Sequence, residues 1–191
     1  MSTALVPWQR EYVARRQMFN FLGAAFRLYG PDGQLAFYVK QKAFRLKEEM
    51  VVFADEGQTK PMLRIRARSV LDLGATYDVT DASSGEKVGA CRREALKSML
   101  RDEWSLLGAS DEAIGTLKED SMLMALLRRF FLKVWLPQTF TIASTDGASL
   151  GQVKQRFNPF QLAYDVRLDG LDPRLGVAAV VLLLAIEGRQ A

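Results

Sequence analysis

Leu171-Asp-Pro-Arg-Leu-Gly-Val-Ala-Ala-Val-Val-Leu-Leu-Leu-Ala-Ile-Glu-Gly-Arg-Gln190 decides how this chain is to be read. From Leu175 to Ile186 the side chains are apolar without interruption. The run is too short for a bilayer, which needs about 20 apolar residues, and it has no polar stripe to turn toward water. Asp172 is placed to cap the first N–H groups, Pro173 falls where its missing donor is harmless, and Gly188 follows as a stop. A helix from Pro173 to Glu187 spans about 22 Å at 1.5 Å per residue, the length of one barrel axis. Gly176, Ala178 and Ala179 give it a slim side for close approach of other backbone. A helix resting on an open sheet would show a charged stripe, so the spacing points instead to a helix enclosed on all sides.

What encloses it is read from repeats. Four segments open on an aromatic residue, turn at polar residues and Gly, and resume with an apolar residue next to Gly or Ala: Phe26–Ala36, Tyr77–Gly89, Trp104–Gly115 and Phe140–Gly151. Each reads as a β-hairpin. Further strands are expected over Met50–Ala54, Met62–Ala67 and Tyr164–Leu168, the last with Tyr164, Val166 and Leu168 alternating with charged residues. A meander of so many short strands leaves exposed edges unless it closes on itself. The expected fold is mainly β, a closed antiparallel barrel of about twelve strands around a buried hydrophobic C-terminal helix, with one amphipathic helix outside.

The chain has 191 residues, 49% of them hydrophobic, enough for one domain with a sizeable core. We divide it into an N-terminal arm over residues 1–25 and a single barrel domain over residues 26–191. Arg15 and Arg16 before Met18–Phe26 loosely resemble a twin-arginine export signal, but Asn20 and Arg27 interrupt the apolar stretch, which favours an amphipathic arm leading into the first strand. The lone Cys91 excludes an intramolecular disulfide and fits a reducing, cytoplasmic compartment. No segment qualifies as a membrane-spanning helix.

Outside the strands, Ser121–Trp135 reads as a helix stopped by Pro137. Leu123, Met124, Leu126, Leu127, Phe130, Phe131, Val134 and Trp135 fill about half its circumference, more than the ~100° stripe a core-facing helix needs, and Arg128, Arg129 and Lys133 lie opposite. Met124, Leu127, Phe131 and Trp135 are candidates for contact with a membrane interface or a second copy of the chain; cover by a loop or by the arm is the plainer alternative.

The hairpins together with Leu171–Gln190 resemble the tubby C-terminal-like superfamily, which includes tubby domains, phospholipid scramblases and LURP-one-related proteins, and especially its uncharacterised bacterial members. The resemblance runs from about Phe26 to Gln190 and implies a twelve-stranded barrel around the terminal helix. Tubby domains bind phosphoinositide headgroups through basic residues near the end of an early hairpin; by position and charge the matching residues here are Lys40, Lys42, Arg45 and Lys47. Scramblases carry an acidic calcium segment ahead of the terminal helix, acylated cysteines and a proline-rich arm. This chain has only Asp165, Asp169 and Asp172 in that place, one Cys and no such arm. The resemblance therefore implies scramblase-like or phosphoinositide-binding recognition of anionic headgroups, while these departures carry over neither calcium dependence, nor acylation, nor scrambling itself.

Read without the family, Arg64, Arg66 and Arg68 alternate with Leu63, Ile65 and Ala67 and share one face of a strand, a ladder suited to bidentate contacts with phosphate. The ordinary alternative is a solvated barrel face balanced by Glu48, Glu49, Asp55 and Glu56. Catalysis is disfavoured because the chain has no histidine, which removes His-dependent triads and the common zinc sets. Nucleotide-binding loops are absent, and Cys91 reads as a small core residue. No metal and no cofactor is expected. Three classes remain: a membrane-surface module binding anionic lipid on the cytoplasmic face, a protein-interaction or homo-oligomerising scaffold, and nucleic-acid binding. The last is weakest, because the net charge is only +4 and the basic residues lack interleaved stacking aromatics.

Overall fold

The computed structural model describes residues 8–19, 23–42, 49–69, 75–94, 103–120, 138–156 and 162–187. Period-two alternation builds the wall. The strands are β1 (Glu11–Phe19), β2 (Gly23–Tyr29), β3 (Leu35–Lys42), β4 (Met50–Phe53), β5 (Pro61–Ala67), β6 (Thr76–Asp81), β7 (Lys87–Arg93), β8 (Glu103–Leu107), β9 (Ala113–Glu119), β10 (Thr139–Ser144), β11 (Ser149–Arg156) and β12 (Leu162–Leu168). Each pairs antiparallel with the next, and β12 pairs with β1, so the sheet closes into the expected twelve-stranded barrel with no free edge. Phe26 and Leu28 on β2, Phe37 and Val39 on β3, Leu63 and Ile65 on β5, and Phe140 and Ile142 on β10 are fully buried inside it.

The helix α1 (Pro173–Glu187) occupies the interior. Its side chains from Leu175 to Ala185 are buried, as the uninterrupted apolar run requires. The slim side is used: a Cβ on Gly176 would lie 2.7 Å from Leu168 of β12, and a Cβ on Gly89 of β7 would lie 3.2 Å from Leu175. Asp172 caps α1 by accepting from the Arg174 backbone N–H at 2.8 Å. The Arg174 guanidinium pairs with Asp172 at 2.9 Å and with Asp81 and Glu86, each at 3.6 Å, which ties the start of α1 to the β6–β7 turn.

The two barrel ends differ. Short turns close β2–β3, β4–β5, β6–β7, β8–β9 and β10–β11 at the end where α1 enters, several with Gly at positive φ, as at Gly33 and Gly147. At the opposite end, toward which α1 runs, the inward row turns polar: Arg16 on β1, Gln41 on β3 and Glu119 on β9 are buried. Because α1 has no basic residue in its last turn, Arg16 puts a wall cation at the end to which the negative pole of the helix points.

One part of the sequence reading is corrected. Glu11–Phe19 lies within the expected N-terminal arm yet is a full barrel strand, with Glu11 to Arg16 paired to Arg167 to Leu162 and Val13 to Phe19 paired to Tyr29 to Gly23. The expected outer helix, Ser121–Trp135, lies outside the described residues.

Candidate functional site

The outer wall from β1 to β5 gathers cations that are far apart in sequence. On β3 the alternation that buries Phe37, Val39 and Gln41 turns Lys40 outward, where it is exposed. β4 sets its neighbours. Tyr38 pairs with Phe53 and Val39 with Val52, so the register continued by one residue puts Lys40 opposite Val51, and Val51 pairs with Arg64 of β5. Lys40 and Arg64 thus share one rung of the wall, about 10 Å apart at twice the strand spacing. Arg66 is the next outward residue of β5 toward the same end. Among the described residues, no ion pair or hydrogen bond engages Lys40 or Arg66, and Arg64 has one exposed contact with Glu49 at 3.3 Å.

Arg64, Arg66 and Arg68 do not form a ladder of equal, open cations. Arg68 donates from Nε and Nη2 to Asp78, at 2.9 and 2.7 Å, and also bonds Asp111. Lys87 reaches the same Asp111 at 2.8 Å. The Lys87 ammonium and the Arg68 guanidinium hold the Asp111 carboxyl below the usual range. Arg68 thereby becomes a brace between β5, β6 and the β8–β9 turn. Lys42 ends β3, opposite Gly23. Arg45, Lys47, Met124, Leu127, Phe131 and Trp135 lie outside the described residues.

The sequence reading missed Arg15 and Arg27. They are cross-strand partners on β1 and β2, on the same outer face as Lys40. Like charges placed directly opposite repel, and each is carried on an aromatic ring: Arg15 lies 4.9 Å from the centre of Tyr29 and Arg27 5.3 Å from that of Tyr38. Arg27 is further held by Gln17 at 2.8 Å and by both oxygens of Glu56, at 2.7 and 3.1 Å. Arg15 has the ring contact and no counter-ion among the described residues. The signal available was alternation: Tyr12, Ala14 and Arg16 face in, so Glu11, Val13, Arg15 and Gln17 face out.

Other expected chemistry is used structurally. Cys91 is buried, and burial pushes its thiol up to about 12. Asp165 pairs with Arg156 at 2.6 Å, and Asp172 is the helix cap. No group of three potential metal ligands occurs among the described residues.

A family model described as LURP-one-related matches residues 35–184. The chain belongs to the LURP-one-related family. A crystal structure of an Arabidopsis thaliana protein shares the fold of this LURP-one-related barrel: at 13% identity it superimposes with a TM-score of 0.51, covering 91% of this chain and 89% of that one. No curated protein matches the chain. The family match begins with β3 and ends within α1, so β1 and β2, which close this LURP-one-related barrel and carry Arg15 and Arg27, precede it. None of the described helices is long and apolar enough to cross a membrane.

Proposed function

We propose that this barrel is a non-enzymatic module that binds anionic phospholipid headgroups, docking peripherally on the cytoplasmic face of a membrane through its β1–β5 wall. The observation that carries the reading is the gathering of Arg15, Lys40 and Arg66, exposed and without counter-ions among the described residues, on one side of a rigid barrel. Cations near an anionic bilayer each contribute about 1 kcal/mol, and that attraction is screened by salt within about 10 Å. The absence of histidine and the burial of Cys91 support a binding role over catalysis.

Flotation with neutral and anionic vesicles, at low and high salt and with or without calcium, tests this. Binding to anionic vesicles alone, lost at high salt and indifferent to calcium, is the expected result. The double variant K40Q/R66Q should bind about thirtyfold more weakly, at about 1 kcal/mol per charge. Binding that requires calcium would point away from direct cation–phosphate contact. Failure to bind any vesicle would move the function to a protein partner or to self-association.

A further inference from the structure

We infer that the outer faces of β1 and β2 form a site for a phosphate monoester, gripped by Arg15 and Arg27 with Lys40 beside them, and that Glu56 fills part of it in the free protein. The lipid source of that monoester rests on the membrane reading above; the site itself does not.

Arg15 and Arg27 are direct cross-strand partners, and Lys40 is two residues beyond the partner of Arg27 on β3, on the same face. Between them lies Ala25, paired with Gln17 on one side and Lys40 on the other. Its small side chain is fully covered by its neighbours and adds no polar group of its own between the three cations. Two guanidinium groups opposite one another repel unless an anion sits between or beside them. Glu56 supplies that anion to Arg27 alone, through a two-pronged contact from the turn between β4 and β5.

The carboxylate is therefore a stand-in with one charge where the site offers three cations. A phosphate monoester carries up to two charges and three terminal oxygens, enough to span Arg15 and Arg27 and reach Lys40. A phosphodiester, with one charge and two such oxygens, satisfies fewer of these donors. Tyr29 and Tyr38 lie under the Arg15 and Arg27 guanidinium groups, whose central carbons are 4.9 and 5.3 Å from the ring centres, and this contact reduces the entropy lost when an anion binds. Displacing Glu56 makes the site self-competing, so removing that carboxylate should strengthen binding.

The test compares vesicles of phosphatidic acid and phosphatidylserine at matched surface charge, together with calorimetric titration of glycerol 3-phosphate. Wild type should favour phosphatidic acid by about tenfold. R15Q should lose that preference while keeping its melting temperature, because Arg15 is exposed and forms no ion pair among the described residues. E56Q should bind the monoester more tightly than wild type. Equal binding of both lipids by wild type, or an undiminished preference in R15Q, overturns the site and leaves the membrane reading standing. Binding of glycerol 3-phosphate without binding to either vesicle upholds the site and overturns the membrane reading. No binding in either arm overturns both.

Discussion

Gly89 and Cys91 face the barrel interior two residues apart on β7, the strand most closely applied to α1, and they are fixed by different physics. At Gly89 the constraint is space. A Cβ would come within 2.4 Å of the Leu107 carbonyl oxygen and 3.2 Å of a Leu175 methyl. The carbonyl belongs to the neighbouring strand and cannot move without disturbing the sheet. G89A is therefore expected to lose about 1–3 kcal/mol, read as a lower urea midpoint with an unchanged slope. At Cys91 the constraint is solvation. The thiol is packed among apolar groups and pushed up to about 12, so almost no thiolate exists near neutral pH. Native protein should leave Ellman's reagent unreacted until denaturant is added, whereas rapid labelling of folded protein would show that β7 opens.

At the scale of elements, α1 is held by burial along its length and by charge at its start. L183D puts an unpaired carboxylate where Leu183 is 1% exposed and is expected to abolish folding, judged by loss of the cooperative melting transition. The start of the helix gives a graded, pH-dependent effect. Ser83 and Arg174 draw the Asp81 carboxyl below its ordinary range; at Asp172 burial pushes upward, but Arg174 and backbone N–H groups outweigh it. Carboxyls depressed in the folded state stabilise it above their unfolded value, near 3.9, and that contribution is lost as pH falls through the folded value. R174Q should cost about 1 kcal/mol at pH 7, a modest figure because the pairs are partly solvated, and the gap from wild type should narrow below about pH 3. The helix was legible in the sequence because nothing polar interrupts Leu175–Ile186, and the hairpins were legible because Gly33, Gly85 and Gly147 mark their turns. The basic wall was legible only in pieces. Lys40 and Arg64 become neighbours through Val51, and cross-strand register is invisible in a single sequence. The ion pairs of Arg68 were hidden for a related reason, since its partners Asp78 and Asp111 come from other strands and turns.

For the whole molecule, closure depends on the strand the sequence hid. β1 escaped notice because its inward residue Arg16 is charged and its outward residue Val13 is apolar, which blurs the alternation of a half-buried strand. It nevertheless makes ladders on both sides, to β12 and to β2. It also brings Tyr12 against Phe37, with ring centres 5.8 Å apart, and Trp8 just before it packs on the same ring at 4.8 Å with the planes tilted by 37°. Removing residues 1–19 would strip those contacts from the core and expose two long, unpaired edges, β2 and β12, that face each other across the gap. The circumference is set by strand number, so eleven strands cannot close around the same helix without a change of tilt and stagger. Open edges pair with whatever strand is available, usually another copy of the chain. The truncated protein is therefore expected to be insoluble or to elute as large, concentration-dependent species in size-exclusion chromatography. A monodisperse truncated monomer with a sharp melting transition would show instead that β2–β12 and α1, which include the span matched by the family, hold together without the closing strand.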